Sequence, residues 1–336
     1  MKGTYLPPRG RKVPRGKLLE WHSIHGRHHL PWRKTHDPYV VLVSEFMLQQ
    51  TTVATVKSRF DSWMHRFPTL SSLAKASEES VIQEWQGLGY YSRARRLHDA
   101  AQTIIERHDG VVPTTLEALR KLPGIGEYTA SAILAFAYNL PAIVLDTNVS
   151  RVVARWNNLR LPIDSSNGKL VLKQLARNFF GNGESGNMAS ALMDLGATIC
   201  VAGHPSCEKC PLMRSCQAES PETLPKKFPK ATTTKRVEHR ALIFHEGRLF
   251  LKLSTGPLWK GLWILPELSV VPSARCIVQL TYPITRYRVL MKVYPATGLP
   301  GTLLRAFSPV EIDSIAIPSP HRRAIAATLI TSHSEK

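Results

Sequence analysis

From Leu18 to about Ala218 the apolar positions recur three and four residues apart, and the strict alternation of a half-buried strand is scarce. The spacing predicts a mainly helical region. One helix has a legible start: Asp37 can accept from the first free amides and Pro38 suits the opening turn, which predicts a helix through Tyr39–Leu48. A second is predicted over Thr129–Tyr138, after Leu122-Pro123-Gly124-Ile125-Gly126 and before the breakers Asn139 and Pro141. Around Pro221–Lys235 the texture turns Pro-, Lys- and Thr-rich, as a linker does. Beyond it, β-branched or alternating runs at Arg240–His245, Arg248–Leu253, Cys276–Tyr282 and Arg288–Tyr294 predict strands, and Pro320–Ser332 a closing helix. The predicted organisation is a basic arm (1–17), a helical domain (18–220), a linker (221–237) and a smaller α+β domain (238–332).

Composition bounds the partners. The chain's 336 residues suffice for about two domains, and 43% hydrophobic with 21% charged residues describes a globular protein. A formal net charge of +19 points to a polyanion, nucleic acid before an anionic membrane surface. The longest apolar run, Ala132–Leu145, is too short and too broken for a bilayer, and the basic N-terminal arm lacks a secretory apolar core. Reduced thiols without an export signal suggest an intracellular location. Arg93, Arg95 and Arg96 are spaced as a solvated helix face that can meet phosphate.

Candidate chemistry sits at three places. Cys200, Cys207, Cys210 and Cys216 follow C-x6-C-x2-C-x5-C, a thiolate spacing that can close around zinc or an iron–sulfur cluster; two disulfides or unrelated thiols are the plainer alternatives. Cys276 stands apart and reads as a small buried residue. Gly124 and Gly126, at a predicted helix start, allow a tight turn and leave amide N–H groups for a phosphate, although an ordinary helix–helix turn has the same look. Glu45 and Asp146 are single carboxyls in apolar runs. Such acids usually cap or pair, but two on a DNA-binding scaffold also fit acid catalysis at a glycosidic bond.

At these residues a resemblance emerges. Leu30-Pro31-Trp32-Arg33, Ser44–Thr51, Gly87–Arg95, Leu122–Ala130, Leu145–Val149 and the cysteine loop match, in order, the MutY-type adenine DNA glycosylases of the helix–hairpin–helix superfamily, which includes endonuclease III. The resemblance implies a helix–hairpin–helix glycosylase fold for 18–220 and a 4Fe–4S cluster on the cysteine loop 200–216. It implies Glu45 as the acid that protonates a flipped adenine, Asp146 as the carboxylate that stabilises the sugar cation, and Tyr128 and Asn148 as their supports. It implies Gln50, Thr51, Leu88 and Tyr90 at the DNA gap, Gly124 and Gly126 on phosphate, and Trp32 and Arg33 lining the base pocket. Lyase-active relatives carry lysine where Tyr128 stands, so a monofunctional enzyme is implied. Gly256–Pro266 resembles the start of the NUDIX-like domain with which this family inspects 8-oxoguanine, without a NUDIX acidic box; Thr285 and Arg286 fall at its lesion-reading loop.

The sequence departs from the family at Arg286, at Ala189 and at Ser190, the last where the resemblance implies a longer polar group on adenine, which bears on lesion and base selectivity. The implied partner is double-stranded DNA holding a mispair, bound by a DNA-associated, intracellular monomer that touches no membrane. A related glycosylase acting on another base, or a lesion-binding protein without catalysis, are the alternatives.

Overall fold

The computed structural model describes residues 12–331 except 182, 184, 230, 231 and 300; most of the basic arm and Ser332, the predicted end of the last helix, lie outside the described residues. Contacts divide the chain into two units: the residues up to Ala74 with Asp99–Pro229, and Lys75–His98 with the residues from Lys230 onward. Grouping 75–98 with the C-terminal sheet was not foreseen from sequence.

Helices build the first unit: α1 (Arg15–His25), α2 (Pro38–Leu48), α3 (Val53–Arg66) and α4 (Leu70–Ala74). After α5 (Glu78–Glu84) in the second unit, α6 (Ser92–Arg107) returns the chain to α7 (Leu116–Arg120), α8 (Glu127–Phe136), α9 (Thr147–Trp156), α10 (Ser166–Phe180) and α11 (Ser185–Thr198). Side chains set several starts: Asp37 accepts from the Tyr39 amide at 2.8 Å, Thr52 from Thr55, and Ser165 from Gly168. α8 ends at Phe136, two residues before the predicted end.

The apolar faces of α9, α10 and α11 meet in a core that includes Val153, Trp156, Leu175, Phe179, Leu192 and Leu195, with Trp156 edge-on to Phe179 at 5.2 Å. Each such side chain contributes about 1.5–3 kcal/mol on burial. Gly196 sets how closely α11 approaches α9, since a Cβ there would lie 2.6 Å from the Asn148 Cβ.

The second unit holds a mixed sheet of β1 (Thr234–His245), β2 (Arg248–Leu253), β3 (Trp263–Ile264), β4 (Val278–Ile284), β5 (Tyr287–Ala296) and β6 (Arg305–Phe307). Its order is β3-β2-β1-β5-β4, with β6 also on β2; β1 and β5 run parallel and the other pairs antiparallel. Alternation sends Val289, Met291 and Val293 inward and leaves Arg288 exposed. α12 (Pro309–Ser314), opened by a capping box of Ser308 and Glu311, and α13 (Ser319–Thr331) complete the unit. The two- and three-residue strands β3 and β6 are too short to show a period in sequence. Cys276 is half-buried, ahead of β4 rather than within it, with its thiol 3.2 Å from the Val278 carbonyl.

Candidate active site

The period of α2 places Val41, Glu45 and Leu48 on one face, and all three line a cleft of about 1040 Å³. That volume is at the upper end of small-molecule sites, with room for a whole nucleotide. Every lining residue belongs to the first unit. Phe46 and Met47 are fully buried and do not line the cleft, whereas Leu48 lines it beside Glu45.

Glu45 is 5% exposed, and burial pushes its carboxyl up to about 7, with the Asp146 charge adding to the rise; Tyr128, by hydrogen bond, and Arg33 pull the other way. Its Oε2 is buried and has no hydrogen-bond partner. Tyr128, in the first turn of α8, is raised well above the ordinary phenol value by burial and the two carboxylates, so it stays a neutral donor.

Asp146 caps α9. Its Oδ1 accepts from the Val149 amide at 2.6 Å and its Oδ2 from Asn148 Nδ2 at 3.0 Å. Burial raises this carboxyl too, opposed by those bonds and by the Arg151 charge. The two acids therefore differ in their donors: Asp146 is held by donors that favour the anion, whereas Oε2 of Glu45 has none. Asn148 accepts from Arg151 Nη2 at 2.7 Å, and Arg151 donates onward to the Gly196 and Cys200 carbonyls.

Trp32, packed edge-on to Phe60, forms a wall with Arg33, Gln50 and Thr51; Gln50 is exposed with φ +55°. Arg33 is anchored, its Nη1 donating to Asp194 Oδ2 at 2.6 Å. Ser190 lines the cleft and Ala189 is buried in the core.

Sequence reasoning missed the cluster at Asp194, which is fully buried and bound by the Arg27 amide (2.8 Å), Arg27 Nε (2.6 Å) and Arg33. His22 Nε2 stands 3.2 Å from the same carboxylate without hydrogen-bond alignment. Burial pushes the Asp194 carboxyl up, but His22, Arg33 and Arg27 prevail and hold it well below the usual carboxylate range. Two arginines six residues apart and an acid far along the chain give no local sequence signal. Gln49 was also missed; its amide reaches Thr129 Oγ1 at 3.4 Å.

Between α7 and α8 the chain turns at Gly124, φ +75°, while Gly126 is extended and caps α8 with no side-chain donor or acceptor. A Cβ on Gly126 would meet nothing within 4 Å, and Gly126 and Glu127 are exposed where α8 opens.

Leu88 and Tyr90 lie in the second unit, on the loop before α6; Leu88 is buried and Tyr90 is 47% exposed. Arg93 is buried and binds that loop, a correction to the solvated face drawn from its spacing, which holds for Arg96. Thr285, φ +49°, and Arg286 form the β4–β5 turn, where the Arg286 guanidinium lies over the Tyr287 ring.

The cysteine loop follows α11. Its thiols feel one another: burial raises Cys210 to about 11, and the charges of Cys200, Cys216 and Cys207 add to the rise. Arg155 Nη1 approaches Cys200 Sγ at 3.3 Å, and Cys216 Sγ lies 3.8 Å from the Arg155 carbonyl. Four cysteines on one short loop, with the Arg155 guanidinium beside Cys200, are by their chemistry a donor set for a positively charged inorganic centre. Among the described residues no group of three or more His, Cys, Asp or Glu is placed to hold a metal ion.

Residues 43–176 match the HhH-GPD superfamily of base excision DNA repair proteins. The adenine DNA glycosylase of Mycolicibacterium smegmatis is 40% identical over 226 residues, covering 67% of this chain and 74% of that protein. The human adenine DNA glycosylase is 42% identical over 213 residues, 61% of this chain but only 39% of the human protein. Among solved structures, a thermostable thymine-DNA glycosylase superposes with a TM-score of 0.53 at 28% identity, covering 60% of this chain and 93% of that one.

Proposed function

The chain belongs to the adenine DNA glycosylases of the HhH-GPD superfamily, and from that premise we propose that it excises adenine mispaired with 8-oxoguanine or guanine, hydrolysing the N-glycosidic bond. The observation that carries this reading is Glu45: a carboxyl inside a nucleotide-sized cleft, raised to about 7, with one oxygen lacking any partner.

A flipped nucleotide enters the cleft, and protonated Glu45 donates to N7 of the adenine so that the base departs neutral. Tyr128 holds Glu45 by hydrogen bond, and Asp146, fixed by Val149 and Asn148, offers its negative charge to the oxocarbenium-like sugar. Glu45, now ionised, takes the proton of the attacking water and is restored. No lysine amine stands at position 128 to attack the sugar.

Amides at Gly124–Gly126 and the basic surface bind duplex backbone, Gln50, Thr51, Leu88 and Tyr90 serve the DNA gap, and the NUDIX-like domain at 238–332 reads the opposite base with Thr285 and Arg286. The protein acts as a DNA-associated monomer; among the described residues no helix is long and apolar enough to cross a membrane. The four cysteines hold a 4Fe–4S cluster. That centre, when bound, supplies cross-linking to a loop whose two 3₁₀ turns bury no residue of their own.

Single-turnover assays on A:8-oxoG, A:G, T:G and A:T duplexes test the reading. Adenine release from the first two, strand breaks only after alkali and no borohydride-trapped adduct are expected; preferential T:G cleavage would overturn adenine selectivity. The rate should follow a bell in pH. Excision needs Glu45 protonated, so the upper limb falls as pH rises through about 7, and the lower limb falls where Asp146 takes up a proton. A rate that climbs from pH 7 to 9 contradicts the assignment of Glu45 as the acid.

A further inference from the structure

The loop that presents Tyr90 is a built object. Gly87, Gly89 and Tyr90 all have positive φ, of 87°, 68° and 48°. An L-residue such as Tyr90 holds that conformation only when its surroundings impose it. The imposition is visible: Trp85 Nε1 donates to the Gly89 carbonyl at 3.0 Å, and buried Arg93 donates to the Leu88 and Gly89 carbonyls at 2.8 and 3.0 Å. The Arg93 guanidinium also lies over the Trp85 and Tyr90 rings, at 5.4 and 5.5 Å. The result is a rigid turn that keeps one aromatic ring 47% exposed, as a stacking platform for a base requires.

The stem of this loop is tied to the C-terminal helices of its own unit. Gln86, the residue before Gly87, donates to the Ile315 carbonyl at 2.7 Å and accepts from Arg322 Nη2 at 3.2 Å. Arg322 also binds the Ile312 and Ile315 carbonyls, at 3.2 and 2.9 Å. Gln83 donates to the Ser314 carbonyl, and Arg95 to the Lys260 carbonyl, next to Gly261, where a Cβ would lie 2.8 Å from the Arg95 guanidinium. The tether continues into the sheet through Trp263 of β3, whose amide donates to the Ala316 carbonyl at 2.9 Å. A loop lying in the sequence of the helical domain is thus hydrogen-bonded to the sheet unit.

We propose that Gln86 and Arg322 are positioning residues for base extrusion: they lock the Tyr90 loop to the unit that carries the Thr285–Arg286 turn, so that one rigid body both stacks into the DNA gap and inspects the opposite base. The inference rests on the glycosylase reading above. It explains why Gln86, a polar side chain at the root of the loop, uses both ends of its amide on the C-terminal helices.

A double-mutant cycle tests it on the full chain. Excision of adenine opposite 8-oxoguanine is followed under single turnover, and extrusion by the fluorescence of 2-aminopurine placed beside the target adenine. Gln86→Leu and Arg322→Met should each slow excision about tenfold, the effect of one lost hydrogen bond to a charged group, and damp the fluorescence rise. On a Tyr90→Ala background the same changes should cost less than twofold, because the group they position is gone. Arg322→Lys, which keeps a donor toward Ile315, should recover most of the loss. Losses that multiply with that of Tyr90→Ala, a silent Tyr90→Ala, or a lowered thermal midpoint with unchanged extrusion would overturn the proposal. Should the parent chain release no adenine, the enzymatic reading fails, while the fluorescence cycle still shows whether the two residues act through Tyr90.

Discussion

Glu45→Gln is expected to slow adenine excision by about 10²–10⁴-fold, the usual contribution of a positioned general acid, with affinity for mispaired duplex retained. Glutamine preserves the shape and the contact with Tyr128 but has no acidic proton to give. The variant should also lose the high-pH limb of the rate profile, since the group that titrates near 7 is absent. Stability moves the other way. A carboxyl raised on folding stabilises the fold below its unfolded value and loses that contribution as pH rises through about 7. The parent should therefore be less stable than Glu45→Gln at pH 8, and the two should converge near pH 4. Thermal midpoints at both pH values, alongside single-turnover rates, check the pair of outcomes. Undiminished excision by the variant would remove the basis of the mechanism.

Asp194→Asn carries the largest expected loss of stability. The carboxylate is fully buried and holds Arg27, Arg33 and His22 on one wall of the cleft. Removing the charge leaves cations at 15% and 24% side-chain exposure without their counter-ion, and breaking such a pair costs about 3–5 kcal/mol. For a unit of this size the thermal midpoint falls by roughly 10 °C or more. Because the Asp194 carboxyl is held well below its ordinary range, its contribution is present above the usual carboxylate pKa and lost as pH falls below it. The parent's midpoint should thus drop on acidification more steeply than the variant's. Excision should weaken as well, because Arg33 loses the contact that fixes it against the cleft. A change below about 1 kcal/mol would show that the cluster is not the anchor its geometry describes.

Much of this protein is written in short stretches of sequence, for a physical reason. Caps, breakers and periodicities act within one or two turns, so Asp37 and Pro38 fix the start of α2 and Arg248–Leu253 forms β2 at the predicted bounds. Glu45 and Asp146 stand out in the sequence as lone carboxyls in apolar runs, Tyr128 and Asn148 only through the resemblance of their motifs to a known family, and all four line the cleft. The cysteine spacing likewise showed a four-thiol loop without coordinates.

What only the tertiary structure decided are the pairings between distant segments and the values they impose. Which side of α2 meets the cleft, and hence what desolvates Glu45, depends on packing that no window of sequence contains. Arg93 reads as a surface cation by spacing and becomes the buried brace of the Tyr90 loop once the chain closes on it. Asp194 meets Arg27 and Arg33 across 167 and 161 residues, and Gln86 meets Arg322 across 236. Local propensity names the elements and the reactive groups; long-range contacts set their burial, partners and charge, because those depend on which distant surface excludes the water.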